Sequence, residues 1–208
     1  MTAPLLEVQA LACERGHLTL FRDVNFSLDA GQWLHLEGGN GVGKTSLLRI
    51  LCGLSPAASG RVLWRGRDAA DPDSTYRAER LYMGHQLALK DELSALENLR
   101  FAAAVAGMPW SEEQALGALA EQGLSGREHL PLRVLSQGQQ RRCALARLRP
   151  GQPLLWLLDE PFVALDVRAV ERLRLQLSQH VALGGAVLYT SHQTVTLDGE
   201  GRTFRLGA

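Results

Sequence analysis

The sequence has few cysteines, no excess of charge of either sign and no long hydrophobic run, and each shortage removes a class of protein. Cys13, Cys52 and Cys143 are an odd number with no C-x-x-C or C-x-x-C-H spacing. That argues against a disulfide framework, a structural zinc site and covalent haem attachment, and leaves inert interior thiols as the plain reading. Lysine and arginine number 22 together, as do aspartate and glutamate, so the formal net charge is zero. No global positive field draws the chain to nucleic acid or to an anionic bilayer. No stretch approaches the roughly 18 consecutive apolar residues of a membrane span; the longest candidate, Leu154 to Leu158, has the length of a core strand. The N-terminus, Met1-Thr2-Ala3-Pro4, lacks a basic region followed by an apolar run, so secretion is not expected and the cytoplasm is the default. Any membrane attachment must then come through a protein partner.

What is present suits one globular domain with room for an inserted subdomain: 208 residues, 46% hydrophobic and 21% charged, enough to bury a sizeable core. Leu5 to Ala10, Val24 to Leu28 and Trp33 to Glu37 read as strands, and Lys44 to Cys52 reads as a helix stopped by Gly53. Arg61 to Trp64 and Arg80 to Met83 read as short strands. From Leu87 to about Arg149 the pattern turns helical, with a capping box at Ser94-Ala-Leu-Glu97 and a second helix over Ser111 to Gln122. Leu154 to Leu158 is a continuous apolar run suited to a central parallel strand buried on both faces. A helix over Val167 to Leu183 carries Val170, Leu173, Leu177 and Val181 as one stripe, and Ala186 to Tyr189 is a further strand. The chain is therefore expected to be a single domain over 1–208, with an α/β core from 1–86 and 150–208 and a helical subdomain over 87–149.

The chemistry begins at Gly38-Gly-Asn-Gly-Val-Gly-Lys-Thr45, which matches G-x-x-x-x-G-K-[ST] at a strand-to-helix junction. Glycine lets the backbone turn so that successive N–H groups face a phosphate, and the following helix presents its positive dipole end to the same anion. Gly38, Gly39, Asn40, Gly41, Val42, Gly43, Lys44, Thr45 and Ser46 are thus the expected nucleotide-binding stretch. Lys44 is expected to reach the β and γ phosphates and Thr45 to offer its hydroxyl to Mg²⁺. The apolar strand ending in Asp159-Glu160 puts two carboxylates at the ligand-binding edge of a parallel sheet. Asp159 would hold the metal's water shell, and Glu160 would polarise the water that attacks the γ-phosphate. Between these elements, Leu135-Ser-Gln-Gly-Gln139 places Ser136 as an N-cap and leaves a helix N-terminus free for an anion. Taken alone, that pentapeptide reads equally as the cap of a surface helix.

Together these stretches resemble the ATP-binding subunits of ABC transporters: Leu135 to Gln139 is similar to the signature of that family, with Gln137 where the commonest version has Gly. The resemblance covers essentially the whole chain. It implies a P-loop NTPase fold, with a RecA-like core, an antiparallel β subdomain and an inserted ABC α-helical subdomain. It also assigns Gln86, in Gly84-His-Gln86, to the Q-loop, where it would contact Mg²⁺ and sense a membrane partner. Ala164-Leu-Asp166 matches the D-loop, and His192 the switch histidine on the γ-phosphate. Where the family stacks adenine on an aromatic side chain, this chain has Arg15; a guanidinium can stack on a purine, or Arg15 is an ordinary exposed arginine. The family mechanism implies that two copies pack head-to-tail around two ATP molecules, with Ser136, Gly138 and Gln139 of one closing over the γ-phosphate held by the other.

What the ATPase drives is read from finer likenesses. Cys13-Glu-Arg15 with Thr19-Leu-Phe21, Gly84-His-Gln86, Glu92-Leu-Ser-Ala-Leu-Glu-Asn-Leu99, Leu135 to Arg142 and Thr190-Ser-His-Gln193 resemble the ATPases of bacterial cytochrome c maturation. That resemblance implies a peripheral subunit on the cytoplasmic face of the inner membrane, with integral subunits of the CcmB and CcmC kind docking beside the Q-loop and Leu87 to Arg100. Hydrolysis there would serve release of a haem-loaded chaperone. The chain is also expected to lack the C-terminal regulatory domain of many import ATPases, because it ends soon after His192. Direct haem ligation is not expected, since His17, His35, His85, His129 and His180 have no ligand-like spacing. Nor is nucleic acid a partner, since the chain has neither a second ATPase unit nor a basic insertion. The alternatives are an exporter ATPase for lipid, drug or lipoprotein cargo, a soluble ABC ATPase, and, more remotely, a P-loop kinase.

Overall fold

The computed structural model describes residues 3–193 and 195–207. Met1 and Thr2 of the N-terminal stretch, together with Thr194 and Ala208, lie outside the described residues. In chain order the strands are β1 (Leu6–Arg15), β2 (Leu18–Leu28), β3 (Gln32–Glu37), β4 (Ser59–Trp64), β5 (Arg67–Asp68), β6 (Arg80–Met83), β7 (Leu155–Leu158), β8 (Ala186–Thr190) and β9 (Glu200–Arg205). The helices are α1 (Lys44–Leu51), α2 (Ala95–Val105), α3 (Glu112–Glu121), α4 (Gln137–Leu145) and α5 (Val167–Ala182).

One compact unit comprises Met1–His85, Pro150–Pro161 and Leu177–Ala208. It holds an antiparallel sheet ordered β2-β1-β4-β5 and a parallel sheet ordered β6-β7-β8-β3-β9. Leu6, Val8, Leu11, Phe26 and Leu28 of the first sheet share a core with Leu34, Leu36, Leu155, Leu157 and Leu188 of the second and with Leu47, Leu48 and Leu51 of α1. The apolar run of β7 is buried at every position, as a central parallel strand must be when both faces are covered. Its carboxyl end therefore delivers Asp159 and Glu160 to the edge where α1 begins.

Two sheet features depart from the sequence reading. The first hairpin is longer than expected, because β1 continues to Arg15, which pairs with Leu18 across a Gly16-His17 turn. Register shifts between Val8 and Leu11, Leu11 and Cys13, and Cys13 and Glu14, with Ala10 at φ 46, break the two-residue alternation that would have marked the strand. β9 has no apolar alternation to find: Glu-Gly-Arg-Thr-Phe-Arg is almost wholly exposed and is held at the sheet edge by backbone pairing with β3 over Gln32 to Glu37.

The other unit comprises Gln86–Arg149 and Phe162–Gln176. Its core gathers Leu96 and Leu99 of α2, Ala115 and Leu119 of α3, Cys143 of α4, and Leu124, Leu132 and Leu135 from the connections. Each of these three helices opens with a complete capping box, Ser94 with Glu97, Ser111 with Gln114 and Ser136 with Gln139. Each box satisfies N–H groups that would otherwise be orphaned at a helix start. The alternation of elements assigns 162–176 to the core, whereas its contacts group it with the helices: Gln122 Nε2 donates to Gln176 Oε1 at 3.0 Å, and Gln176 Nε2 donates to the Leu148 carbonyl. Helix α5 thus starts in one unit and finishes in the other.

Candidate active site

The loop between β3 and α1 is shaped by glycines at positions where a side chain would not fit. Gly43 lies at φ 103, and a Cβ there would come within 2.9 Å of the Phe21 ring; one at Gly38 would meet the Leu206 carbonyl, also at 2.9 Å. Val42 is half-buried and packs on the core, so it props the loop from behind. Gly43 occupies the N-cap of α1 in the left-handed region, and the first turn of the helix, carrying Lys44, Thr45 and the buried Ser46, follows at once. Lys44 Nζ donates to the carbonyls of Gly38 and Gly39 at 2.6 and 3.1 Å. A positive helix end, an ammonium and a glycine loop converge on one spot, and an anion is what that field favours.

The acidic side of the site comes from β7. Asp159 is almost fully buried and accepts two hydroxyls, Thr45 Oγ1 on Oδ2 at 2.8 Å and Thr190 Oγ1 on Oδ1 at 2.9 Å. Glu160 stands in the left-handed region at φ 51, and its N–H donates to Thr190 Oγ1 at 2.8 Å. The His192 N–H donates to Glu160 Oε2 at 3.3 Å, and His192 Nε2 lies 3.5 Å from Oε1. The carboxylate is mostly shielded while the imidazole is mostly exposed, with side-chain exposures of 15% and 59%. Such a histidine can meet a ligand without losing its hold on Glu160. Burial, and after it the Asp159 carboxylate, push the Tyr82 phenol up to about 12, so it stays neutral beside the acids.

The structure therefore brings Lys44, Thr45, Asp159, Glu160 and His192 into one constellation. Thr190 belongs with them; the sequence presents it only as part of Thr190-Ser-His-Gln193 and gives it no role, although a hydroxyl residue two positions before the histidine, at the end of β8, is the available signal. Arg15 is exposed at the end of β1. It is carried by the same hairpin whose Phe21, paired with Cys13, backs Gly43. Gln86 is exposed and opens the helical unit. In that unit Ser136 Oγ accepts the Gln139 N–H at 3.3 Å, and Gln139 Oε1 accepts the Ser136 N–H at 2.9 Å. A Cβ on Gly138 would lie 3.2 Å from the Ala164 carbonyl, so a glycine at 138 gives room to that backbone, where Ala164 sits at φ 60. All three cysteines are free and buried.

A glycine loop on a helix start, a hydroxyl joined to a strand-end aspartate, and a glutamate and histidine in mutual reach define a nucleotide-binding domain of the ATP-binding cassette class. The model of the ABC transporter family matches residues 21–163, and the chain belongs to that family; it binds ATP and is an ABC-type ATPase. Within the family it stands with the CcmA proteins. It is 48% identical over 204 residues to the cytochrome c biogenesis ATP-binding export protein CcmA of Dechloromonas aromatica (strain RCB), covering 98% of this chain and 100% of that protein. It is also 48% identical over 193 residues to the CcmA of Nitrosomonas europaea, covering 93% and 91%. Among solved structures, an ATP-binding subunit of an ABC transporter shares 30% identity and superposes with a TM-score of 0.76, over 90% of this chain and 79% of that one.

Proposed function

We propose that the chain powers cytochrome c maturation, hydrolysing ATP to drive release of a haem-loaded chaperone through separate membrane subunits of the CcmB and CcmC kind. Full-length likeness to CcmA proteins carries this reading. Among the described residues no helix is long and apolar enough to cross a membrane; in the proposed role the chain is a peripheral subunit on the cytoplasmic face of the inner membrane.

In the proposed reaction the triphosphate lies along Gly38 to Ser46. Lys44 exchanges the Gly38 and Gly39 carbonyls for the β and γ phosphates, and Arg15 stacks on adenine. Hydroxyl, carboxylate and amide oxygens at Thr45, Asp159 and Gln86 are the hard donors that suit Mg²⁺, and the Thr45 to Asp159 hydrogen bond already aligns two of them. When bound, the ion neutralises charge on the phosphate oxygens. Glu160 takes a proton from the attacking water, and His192 bridges Glu160 and the γ-phosphate. Ser136, Gly138 and Gln139 of a second, head-to-tail copy complete each site; a phosphate there would replace the mutual hydrogen bonds of the capping box.

Pull-down of the tagged chain from membranes, with deletion of its gene, tests the role. Co-purification of an integral membrane subunit with a haem-handling partner, and loss of c-type cytochromes on deletion, are the expected results. A lipid or drug permease in the pull-down with normal c-type cytochromes would instead favour the exporter reading.

A further inference from the structure

The segment bearing His192 leaves the end of β8 and is held by hydrogen bonds to strand residues and within itself. Tyr189 Oη donates to the Val195 carbonyl at 2.7 Å. Ser191 Oγ donates to the Gln193 carbonyl and accepts the Gln193 N–H, both at 2.9 Å. A further tie comes from β3. His35, the register partner of Tyr189 in the parallel sheet, stacks on that ring with centroids 4.9 Å apart and planes 10° from parallel. Its Nε2 lies 3.2 Å from the Ser191 carbonyl, and because a carbonyl only accepts, Nε2 is the protonated nitrogen.

The geometry matters because the Ser191 carbonyl and the His192 N–H belong to one planar peptide. His35 bonds its oxygen, and Glu160 Oε2 accepts from its nitrogen at 3.3 Å. Rotation of that plane would break both bonds together and would swing the His192 side chain with it. Hydrogen bonding at the carbonyl also polarises the N–H on the far side, which strengthens its donation to the carboxylate. An aromatic stack then keeps the His35 ring from turning away.

We propose that His35 is a positioning residue for ATP hydrolysis: through the Ser191–His192 peptide it aligns the N–H that meets Glu160 and the imidazole of His192, with Tyr189 holding its ring in place. This rests on the roles proposed above for Glu160 and His192. Its chemistry is that of a single side-chain N–H donor at a fixed point, so glutamine, whose amide reaches a similar distance, can replace it and an apolar residue cannot.

The test is Mg²⁺-dependent ATPase kinetics of the full chain. His35→Leu should lower kcat roughly three- to tenfold, the range that one hydrogen bond supports, with little change in KM for ATP, and His35→Gln should recover most of the loss. In a His192→Ala background, His35→Leu should cost less than about a further twofold, the mark of two residues acting in one chain of contacts. Should His35→Leu not fold, His35→Met fills the space without a donor and serves the same comparison. Wild-type kcat in the apolar variant, a His35→Gln as impaired as His35→Leu, or a full multiplicative loss in the His192→Ala background would each overturn the positioning role while leaving the switch histidine intact. If His192→Ala itself turned over ATP at the wild-type rate, the role of His192 would fall, and this proposal with it.

Discussion

Asp159 has two carboxylate oxygens, and a different hydroxyl takes each, so its orientation is determined from both sides. Thr190 does double duty, donating to Asp159 and accepting the N–H of Glu160. That second bond holds Glu160 in a left-handed backbone that a non-glycine residue adopts only at a cost of about 1 kcal/mol or more. Thr190→Val keeps the shape and removes the hydroxyl, leaving a buried carboxylate oxygen and an N–H without this partner. It is expected to lower stability to denaturant by about 1–3 kcal/mol and kcat by roughly tenfold, with Thr190→Ser near wild type in both. Unchanged turnover in Thr190→Val would mean that the Glu160 backbone holds without it. Thr45, Asp159 and Glu160 were legible in the sequence because each sits inside a contiguous motif. Thr190 and His35 were not, because their partners lie 31 and 156 residues away, and no spacing rule spans such distances.

At the scale of elements, periodicity found α5, and the stripe was correct for Leu173, Leu177 and Val181, which are buried, while Val170 is only partly so. It did not announce His180, which is fully buried on the same helix. The imidazole stacks on Trp156 of β7, centroids 3.8 Å apart. Its Nδ1 accepts the Gly151 N–H at 3.0 Å, so its Nε2 donates to the Leu154 carbonyl at 3.1 Å. A Cβ on Gly185 would come within 2.1 Å of the ring, so a glycine is required where the chain enters β8. Burial lowers the His180 pKa from 6.5 to about 4. The fold holds the neutral ring, whereas the unfolded chain takes up a proton near the ordinary value. This stabilisation is therefore full above about pH 6.5 and is lost as pH falls towards 4, on the order of 3 kcal/mol at most. Chemical denaturation between pH 7 and 4 should show that slope, and His180→Gln should flatten it; an equal slope in both proteins would assign the acid sensitivity elsewhere.

For the whole molecule, the phosphate loop, Asp159, Glu160 and His192 fall in one compact unit, and Gln86, Ser136, Gly138 and Gln139 in the other. The proposed head-to-tail pair joins the loop of each copy to the signature of the next. Glu160→Gln keeps the loop and removes the base, so it is expected to bind ATP, hydrolyse it roughly a hundredfold or more slowly, and elute as a dimer with ATP and a monomer without it. A monomeric, active Glu160→Gln protein would contradict both the base and the pairing. The sequence by itself determined most of the strands and helices, the glycine-rich stretch that opens α1, the two acids at the end of β7 and the family, because these reside in short stretches whose geometry is set by neighbouring residues. Only the tertiary structure decided that β9 joins the sheet, that α5 is shared between the units, that Thr190 links the two acids, and that His35 grips the peptide before His192. Those features depend on hydrogen bonds between residues far apart in the chain, which form only once the sheet has brought β3, β7 and β8 side by side.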